Sequence, residues 1–319
     1  MTSTFTQERM TGIGGSDAAP VCGMSRFKTP LQVYLEKKGL AEDTAPSEAM
    51  ELGNRLEPEI MKLYAEKMKV LVYKPENLFR HSVHPFIIGH LDGIVDANGD
   101  GKYGLECKLT RGMPATEWGE SGTDEVPEPY ILQCQHYMAV TGLNRFDIAA
   151  LIGGTEFRIY HIMRNDALID YMIKLEAAFW NNHVLAGIPP EIDGSEAATK
   201  WLKKQFPSDD GAELVADEHL TFLAEQYKIA KENAEKLGER AQEFRNQILH
   251  ILGTAATIKG ENFKITYKKT KDGVDYDWKA LADTLLDKLP DAEANSLLQQ
   301  FTKIKPGYRR FLATYKETE

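Results

Sequence analysis

Two carboxylates and a lysine in one short stretch of the chain have the types and spacing needed for phosphodiester chemistry. The sequence His90-Leu91-Asp92-Gly93 is followed, fourteen residues after the aspartate, by Glu106-Cys107-Lys108. Side chains alternate along a β-strand, so Glu106 and Lys108 should share one face while their neighbours turn toward a core. Turn-forming residues at positions 97–101 predict a hairpin that brings Asp92 beside this pair.

A divalent metal ion would hold these groups together. Two neighbouring carboxylates repel each other unless a hard cation lies between them, and Mg2+ binds carboxylates, water and phosphate oxygens. A lysine one pleat away can stabilise the charge that develops on an attacked phosphate or help to activate the water. The motif therefore predicts a Mg2+ site with phosphodiesterase chemistry. Taken alone, the hairpin is equally compatible with an ordinary surface hairpin whose charges face solvent.

Motifs on both sides of the hairpin favour the catalytic interpretation. Gly53-Asn54-Arg55-Leu56-Glu57 precedes it and Gln133-Cys134-Gln135-His136-Tyr137 follows it, which gives the order G-x-x-x-E, D-G, E-x-K, Q-x-x-x-Y. This order resembles the PD-(D/E)XK nucleases, and more closely the lambda exonuclease and YqaJ-like viral recombinase family. The segments 11–19 and 131–142 strengthen the resemblance, which covers roughly residues 9 to 190.

The resemblance implies a role for each matching residue. It assigns metal binding to Asp92 and Glu106, with the helix carboxylate Glu57 and a backbone carbonyl of Leu105 or Cys107 completing the shell. Lys108 matches the catalytic lysine, and Gln133 matches the glutamine that orients the water and the lysine. The implied pocket for a 5′-terminal phosphate contains Arg9 and Ser16, and more loosely Arg111. His90 departs from the family pattern, which often has a small hydroxyl residue two positions before the motif aspartate.

The resemblance also implies an activity and its partners. The expected enzyme is a Mg2+-dependent exonuclease, with Mn2+ as a substitute, that digests linear double-stranded DNA from 5′ to 3′. It would act at DNA ends as a ring-shaped homotrimer and leave a 3′ single strand for a phage-type annealing recombinase. The alternatives are an endonuclease or repair nuclease of the same fold, and a catalytically idle DNA-binding or assembly module.

Composition indicates a soluble intracellular protein. The 319 residues are 42% hydrophobic, enough for one large core and a smaller appendage. No segment has the apolar length needed to span a membrane or the pattern of a signal peptide, so we expect a cytoplasmic protein of a bacterial host or prophage. The three cysteines lack metal-ligand spacing and are expected to be reduced. A net charge of −10 argues against nonspecific coating of DNA.

Hydrophobic periodicity predicts an α/β core. Apolar residues fit one face of a helix over 48–68, and another helix carries Gln133 and Tyr137 one turn apart. Further helices are expected after Ser16, acting as an N-cap, after Thr29-Pro30, and over 166–187. Strands are expected at 70–73, 86–96, 103–109, 147–151 and 156–162. Together these elements predict a mixed central sheet flanked by helices, the PD-(D/E)XK restriction-endonuclease-like core.

The remainder of the chain predicts a helical extension. We place the end of the nuclease core at residue 195, so that domains span 1–195 and 196–319. From Leu220 to Ile251, apolar residues recur at spacings of three and four, which is a heptad seam. The seam fits either an intramolecular helical hairpin or an intersubunit coiled coil. A small β-hairpin over 255–269 and terminal helices should follow, with basic residues that form a solvated face or guide DNA.

Overall fold

The computed structural model describes residues 4–41, 47–97, 101–110, 117–273, 275–303, 311 and 313. The chain divides into two compact units, Met1–Phe206 and Pro207–Glu319. This division falls eleven residues beyond the predicted boundary at 195. Helix α7 (Glu196–Gln205) belongs to the first unit because its Ala198 is buried in a hydrophobic cluster with Leu31 and Trp180.

A five-stranded mixed sheet lies at the centre of the first unit, as the sequence predicted. Its strands, in spatial order, are β1 (Leu71–Tyr73), β4 (Gly93–Asp96), β5 (Lys102–Thr110), β6 (Arg145–Ile152) and β7 (Glu156–Met163). Strands β5 and β6 pair in parallel, and the other neighbours pair antiparallel. A separate two-stranded sheet joins β2 (Phe79–Arg80) to β3 (Ile88–Gly89).

Helices cover both faces of the central sheet. The remaining helices of the first unit are α1 (Thr4–Met10), α2 (Gly15–Val21), α3 (Pro30–Lys37), α4 (Glu48–Met68), α5 (Glu128–Thr141) and α6 (Asp166–Phe179). Helix α4 packs Ile60 and Tyr64 against Leu105 on one face. Helix α5 packs Met138 against Phe146 on the other face. Because side chains alternate along β5, the residues flanking Leu105 point toward α5.

Three local predictions were wrong. The predicted strand 86–96 is interrupted between β3 and β4, and the break contains His90, Leu91 and Asp92. The N-cap of α2 is Gly14 and not Ser16, and its amide donates to the Asp17 carboxylate over 3.1 Å. The predicted helix 166–187 is α-helical only to Phe179, after which a π-helical turn spans Trp180–Leu185.

The second unit has little buried surface of its own. It contains α8 (Glu218–Leu252), β8 (Thr257–Lys259), β9 (Lys264–Thr266), α9 (Trp278–Leu286) and α10 (Asp291–Phe301). The predicted long helix, β-hairpin and two later helices are therefore present. Seam residues such as Leu223 and Leu237 are exposed on α8. Among the described residues, no helix combines the length and apolar character that crossing a membrane requires.

Candidate active site

The predicted carboxylates and lysine converge where β4 and β5 pair. Gly93 pairs with Leu105, so Asp92 lies at the end of the ladder beside the next residue of β5. The Cys107 amide donates to Asp92 Oδ2 over 2.8 Å. Glu106 is buried, and its Oε1 lies 2.6 Å from Lys108 Nζ. The alternation of β5 places Glu106 and Lys108 on one face, as the sequence predicted.

Gln133 of α5 forms hydrogen bonds with both members of the Glu106–Lys108 ion pair. Its Nε2 donates to Glu106 Oε1 over 2.7 Å, and its Oε1 accepts from Lys108 Nζ over 2.9 Å. The same Nε2 lies 3.1 Å from the hydroxyl of Tyr137, one helical turn further on. These contacts fix both ends of the amide, so that Gln133 holds the Glu106–Lys108 pair in a single geometry.

The electrostatics of this cluster favour a bound cation. Burial, and then the negative charges of Glu106 and Glu57, raise the pKa of Asp92 well above its ordinary value. Glu106 Oε2 is buried and has no hydrogen-bond partner within the structure. A cation would relieve the repulsion and satisfy the orphaned oxygen, and an all-oxygen set suits Mg2+.

Glu57 stands slightly apart from the other two carboxylates. Its Oε1 forms an ion pair with Lys74 Nζ at 2.5 Å, although its charge still acts on Asp92. Within the described residues, no three His, Cys, Asp or Glu side chains are close enough to hold a metal ion on their own. The carboxylates that act most strongly on each other are therefore Asp92 and Glu106. Protein sites for Mg2+ often combine one or two carboxylates with water and substrate phosphates.

The protonation state of Lys108 limits its chemical role. Burial alone would lower the pKa of this lysine, but the charge of Glu106 and the hydrogen bond to it raise the pKa overall. Lys108 therefore holds its proton more firmly than an ordinary lysine does. It can stabilise negative charge on a phosphate, whereas a general base would have to be neutral at the working pH.

Tyr130 is a site residue that the sequence reasoning missed. The Lys108 ammonium lies 4.8 Å from the centroid of the Tyr130 ring, a cation–π contact. The ring packs in turn on buried Trp118, with centroids 5.3 Å apart and planes tilted by 31°. A signal was present in the sequence, because Tyr130 precedes Gln133 by three residues and helical residues at that spacing share a face.

The predicted phosphate-binding residues also meet. Arg9 Nη2 donates to Ser16 Oγ over 2.9 Å. Buried Asp17 accepts from Lys37 Nζ over 2.6 Å, and that same ammonium donates to the backbone carbonyl of Arg9 over 2.8 Å. This network ties the end of α1 to the start of α2. Arg111, the third predicted contact, lies outside the described residues.

The start of α2 packs against a residue that contacts the carboxylate cluster. A Cβ atom on Gly15 would lie 2.5 Å from the Tyr137 ring, so only glycine permits this approach. Tyr137 contacts Gln133, which contacts Glu106. His90 adds a second link, because its Nε2 lies 3.4 Å from Glu8 Oε2 on α1. The segments that carry Arg9 and Ser16 are therefore linked to the carboxylate cluster through two chains of contacts.

Comparison with known proteins identifies relatives of the chain. Residues 4–144 match the family described as the YqaJ-like viral recombinase domain. The Bacillus subtilis (strain 168) protein YqaJ is 36% identical over 255 residues, which cover 78% of this chain and 77% of that protein. At 255 residues, this match is longer than the domain match.

Similar solved structures are more distant. An alkaline exonuclease, LHK-Exo from Laribacter hongkongensis, is 20% identical with a TM-score of 0.45, covering 64% of this chain and 97% of that one. A phage related exonuclease from Haemophilus somnus 129PT is 14% identical with a TM-score of 0.40, covering 57% and 97%. Structural similarities this remote do not assign an activity to this chain. The sequence relationship is sufficient on its own to show that the chain belongs to the YqaJ-like viral recombinase family.

Proposed function

We propose that this protein is a Mg2+-dependent exonuclease that digests linear double-stranded DNA. The observation that carries the proposal is the cluster of Asp92, Glu106, Lys108 and Gln133, in which half-buried Asp92 and buried Glu106 lie beside one charged lysine. A purely structural ion pair would need only one carboxylate for one lysine. The second carboxylate raises the electrostatic energy of the folded protein unless a cation offsets it.

Each residue of this site would have a distinct role in the reaction. Asp92 and Glu106 would hold Mg2+, with Mn2+ as a substitute, and the Cys107 carbonyl and Glu57 would support them. When bound, the ion supplies a lowered pKa for its water and positive charge at the phosphate. The Lys108 ammonium donates to a phosphate oxygen as negative charge develops there. Gln133 keeps that ammonium in place, and the Tyr130 ring lies against it.

Recognition of a DNA end would fall to the neighbouring pair of residues. Arg9 carries a permanent charge and a donor geometry suited to phosphate, and Ser16 lies in the first turn of α2 next to it. We propose that they bind the 5′-terminal phosphate, with Arg111 as a further contact, and that digestion runs from 5′ to 3′. As the resemblance to the lambda exonuclease family implies, we also propose a homotrimeric ring that delivers the 3′ single strand to an annealing recombinase.

One assay separates this proposal from its alternatives. Linear duplexes labelled at either end, and nicked and covalently closed circular duplexes, are incubated with the protein in Mg2+, Mn2+ or EDTA. The proposal predicts progressive loss of label from the 5′ end of linear DNA in Mg2+ only. Cleavage of closed circles would instead indicate an endonuclease. No cleavage of any substrate in Mg2+ or Mn2+ would indicate a DNA-binding or assembly module.

A further inference from the structure

The hairpin formed by β8 and β9 concentrates positive charge in an otherwise acidic chain. Between residues 257 and 271 there are five lysines and one glutamate, whereas the whole chain has a net charge of −10. The register places Lys259 directly opposite Lys264, and both are exposed. Like charges directly opposite each other destabilise a two-stranded pair. An anionic partner would relieve that repulsion.

An aromatic ring is held at the turn of the same hairpin. The Gly260 amide donates to the Phe263 carbonyl over 2.9 Å. The Phe263 ring occupies the space beside Gly260, where a Cβ atom would lie only 2.2 Å from the ring. The ring thus packs against the turn, and Lys264 follows it directly in the chain, yet Phe263 is 56% exposed. An exposed ring on a basic hairpin can serve as a stacking platform for a base.

A second exposed ring extends the surface along the hairpin. The Tyr267 amide donates to the Ala256 carbonyl over 3.0 Å, so Tyr267 continues the ladder beyond β9. Its side chain is 58% exposed, and Lys268 follows directly. Lysines alone are sufficient to bind phosphates, whereas binding unstacked bases also requires exposed aromatic rings. The combination of both therefore selects single strands over duplexes, whose bases are already stacked.

We propose that the hairpin centred on Lys259, Phe263, Lys264 and Tyr267 binds single-stranded DNA. The lysines contact phosphates, and the two rings stack on bases. The recognition of a single strand rests on the hairpin alone. Only the choice of DNA over RNA rests on the proposed function of the first unit.

The test measures binding by the full-length protein in EDTA, where no cleavage is expected. The probe is a fluorescein-labelled oligonucleotide of about 20 thymidines, with the matching duplex and an oligouridine as separate arms. Phe263→Ala should weaken binding of the single strand about 5- to 100-fold and leave duplex binding unchanged, whereas Phe263→Tyr should retain it. Lys259→Gln/Lys264→Gln should reduce the slope of log affinity against log salt by about 1.4.

A matched control separates local recognition from net charge. Lys231→Gln/Lys236→Gln removes the same charge from exposed positions on α8 and should leave affinity and slope close to wild type. The proposal is overturned if Phe263→Ala binds the single strand as wild type does, or if the α8 variant loses as much affinity as the hairpin variant. Tighter binding to oligouridine, or equal competition by polyglutamate, would overturn DNA as the partner. An inactive nuclease would change none of these results.

Discussion

Replacing Tyr130 by leucine should slow the chemical step and leave DNA binding almost unchanged. The ring lies 4.8 Å from the Lys108 ammonium, whose other two partners are Glu106 and Gln133. Removing the ring takes away one of the three contacts that hold the ammonium where it would meet the phosphate, and leaves those with Glu106 and Gln133. Leucine preserves much of the volume against Trp118 but has no aromatic face. Phenylalanine keeps that face and removes only the hydroxyl.

The size of the effect follows from the burial of the lysine. A cation–π contact contributes about 0.5–1 kcal/mol at exposed sites and about 2 kcal/mol when desolvated. The Lys108 side chain is 19% exposed, which places it toward the desolvated limit. A loss of about 1–2 kcal/mol corresponds to a rate about 5- to 30-fold lower. Tyr130→Phe should stay within about twofold of wild type.

Single-turnover cleavage of an end-labelled linear duplex at saturating Mg2+ measures this step directly. Tyr171→Leu is the matched control, because Tyr171 is 60% exposed on α6 and takes no part in the site. Thermal melting confirms that each variant is folded. Wild-type single-turnover rates in folded Tyr130→Leu would refute the reasoning. Equal loss in Tyr130→Phe would show that the hydroxyl, and not the ring face, is what matters.

Three further outcomes are expected. Asp92→Asn should abolish cleavage but stabilise the metal-free protein, because the pKa of Asp92 is raised by burial, Glu106 and Glu57. For each unit by which the pKa of Asp92 is raised, the substitution should stabilise the folded protein by about 1.4 kcal/mol, or raise Tm by about 3–6 °C. This gain over wild type should appear above about pH 4 and increase as the pH rises toward the raised pKa. Melting curves recorded across pH measure it. Arg9→Ala should reduce the preference for 5′-phosphate over 5′-hydroxyl ends about 10- to 150-fold, and unchanged relative digestion rates would place the phosphate pocket elsewhere. Residues 1–206 should sediment as a trimer, whereas dissociation of the full-length protein by Leu223→Glu/Leu237→Glu would move assembly to the α8 seam.

The parts of the site that follow from strand alternation could be predicted from the sequence. Glu106 and Lys108 share a face of β5 because their spacing is two, and a buried strand leaves little freedom in that assignment. The helix predicted over 48–68 from its apolar face is α4, and the structure adds an N-cap at Ser47, whose side chain accepts from the Met50 amide. Where local preference and tertiary packing favour the same element, the sequence pattern is sufficient to predict that element.

Other features depend on tertiary contacts that have no local signature. The break at His90–Asp92 is not visible in the apolar pattern, since residues 86–96 read as one continuous strand. Gly93 approaches Val72 so closely that a Cβ atom there would lie 2.9 Å from it, a constraint set by a distant strand. The same holds for the Asp17–Lys37 pair, whose partners are twenty residues apart. Such long-range contacts position the site without appearing in any short motif.

The role of Mg2+ at Asp92 and Glu106 is tested most directly by one titration. The rate of cleavage of a 5′-labelled linear duplex is measured against Mg2+ concentration for the wild-type protein and for Glu106→Gln, with both shown to be folded. We predict no cleavage in EDTA, a saturable rise in the wild-type rate, and a loss of about 10²- to 10³-fold or more in Glu106→Gln at every concentration. A folded Glu106→Gln protein with the wild-type rate, or wild-type cleavage that persists in EDTA, would contradict the metal site.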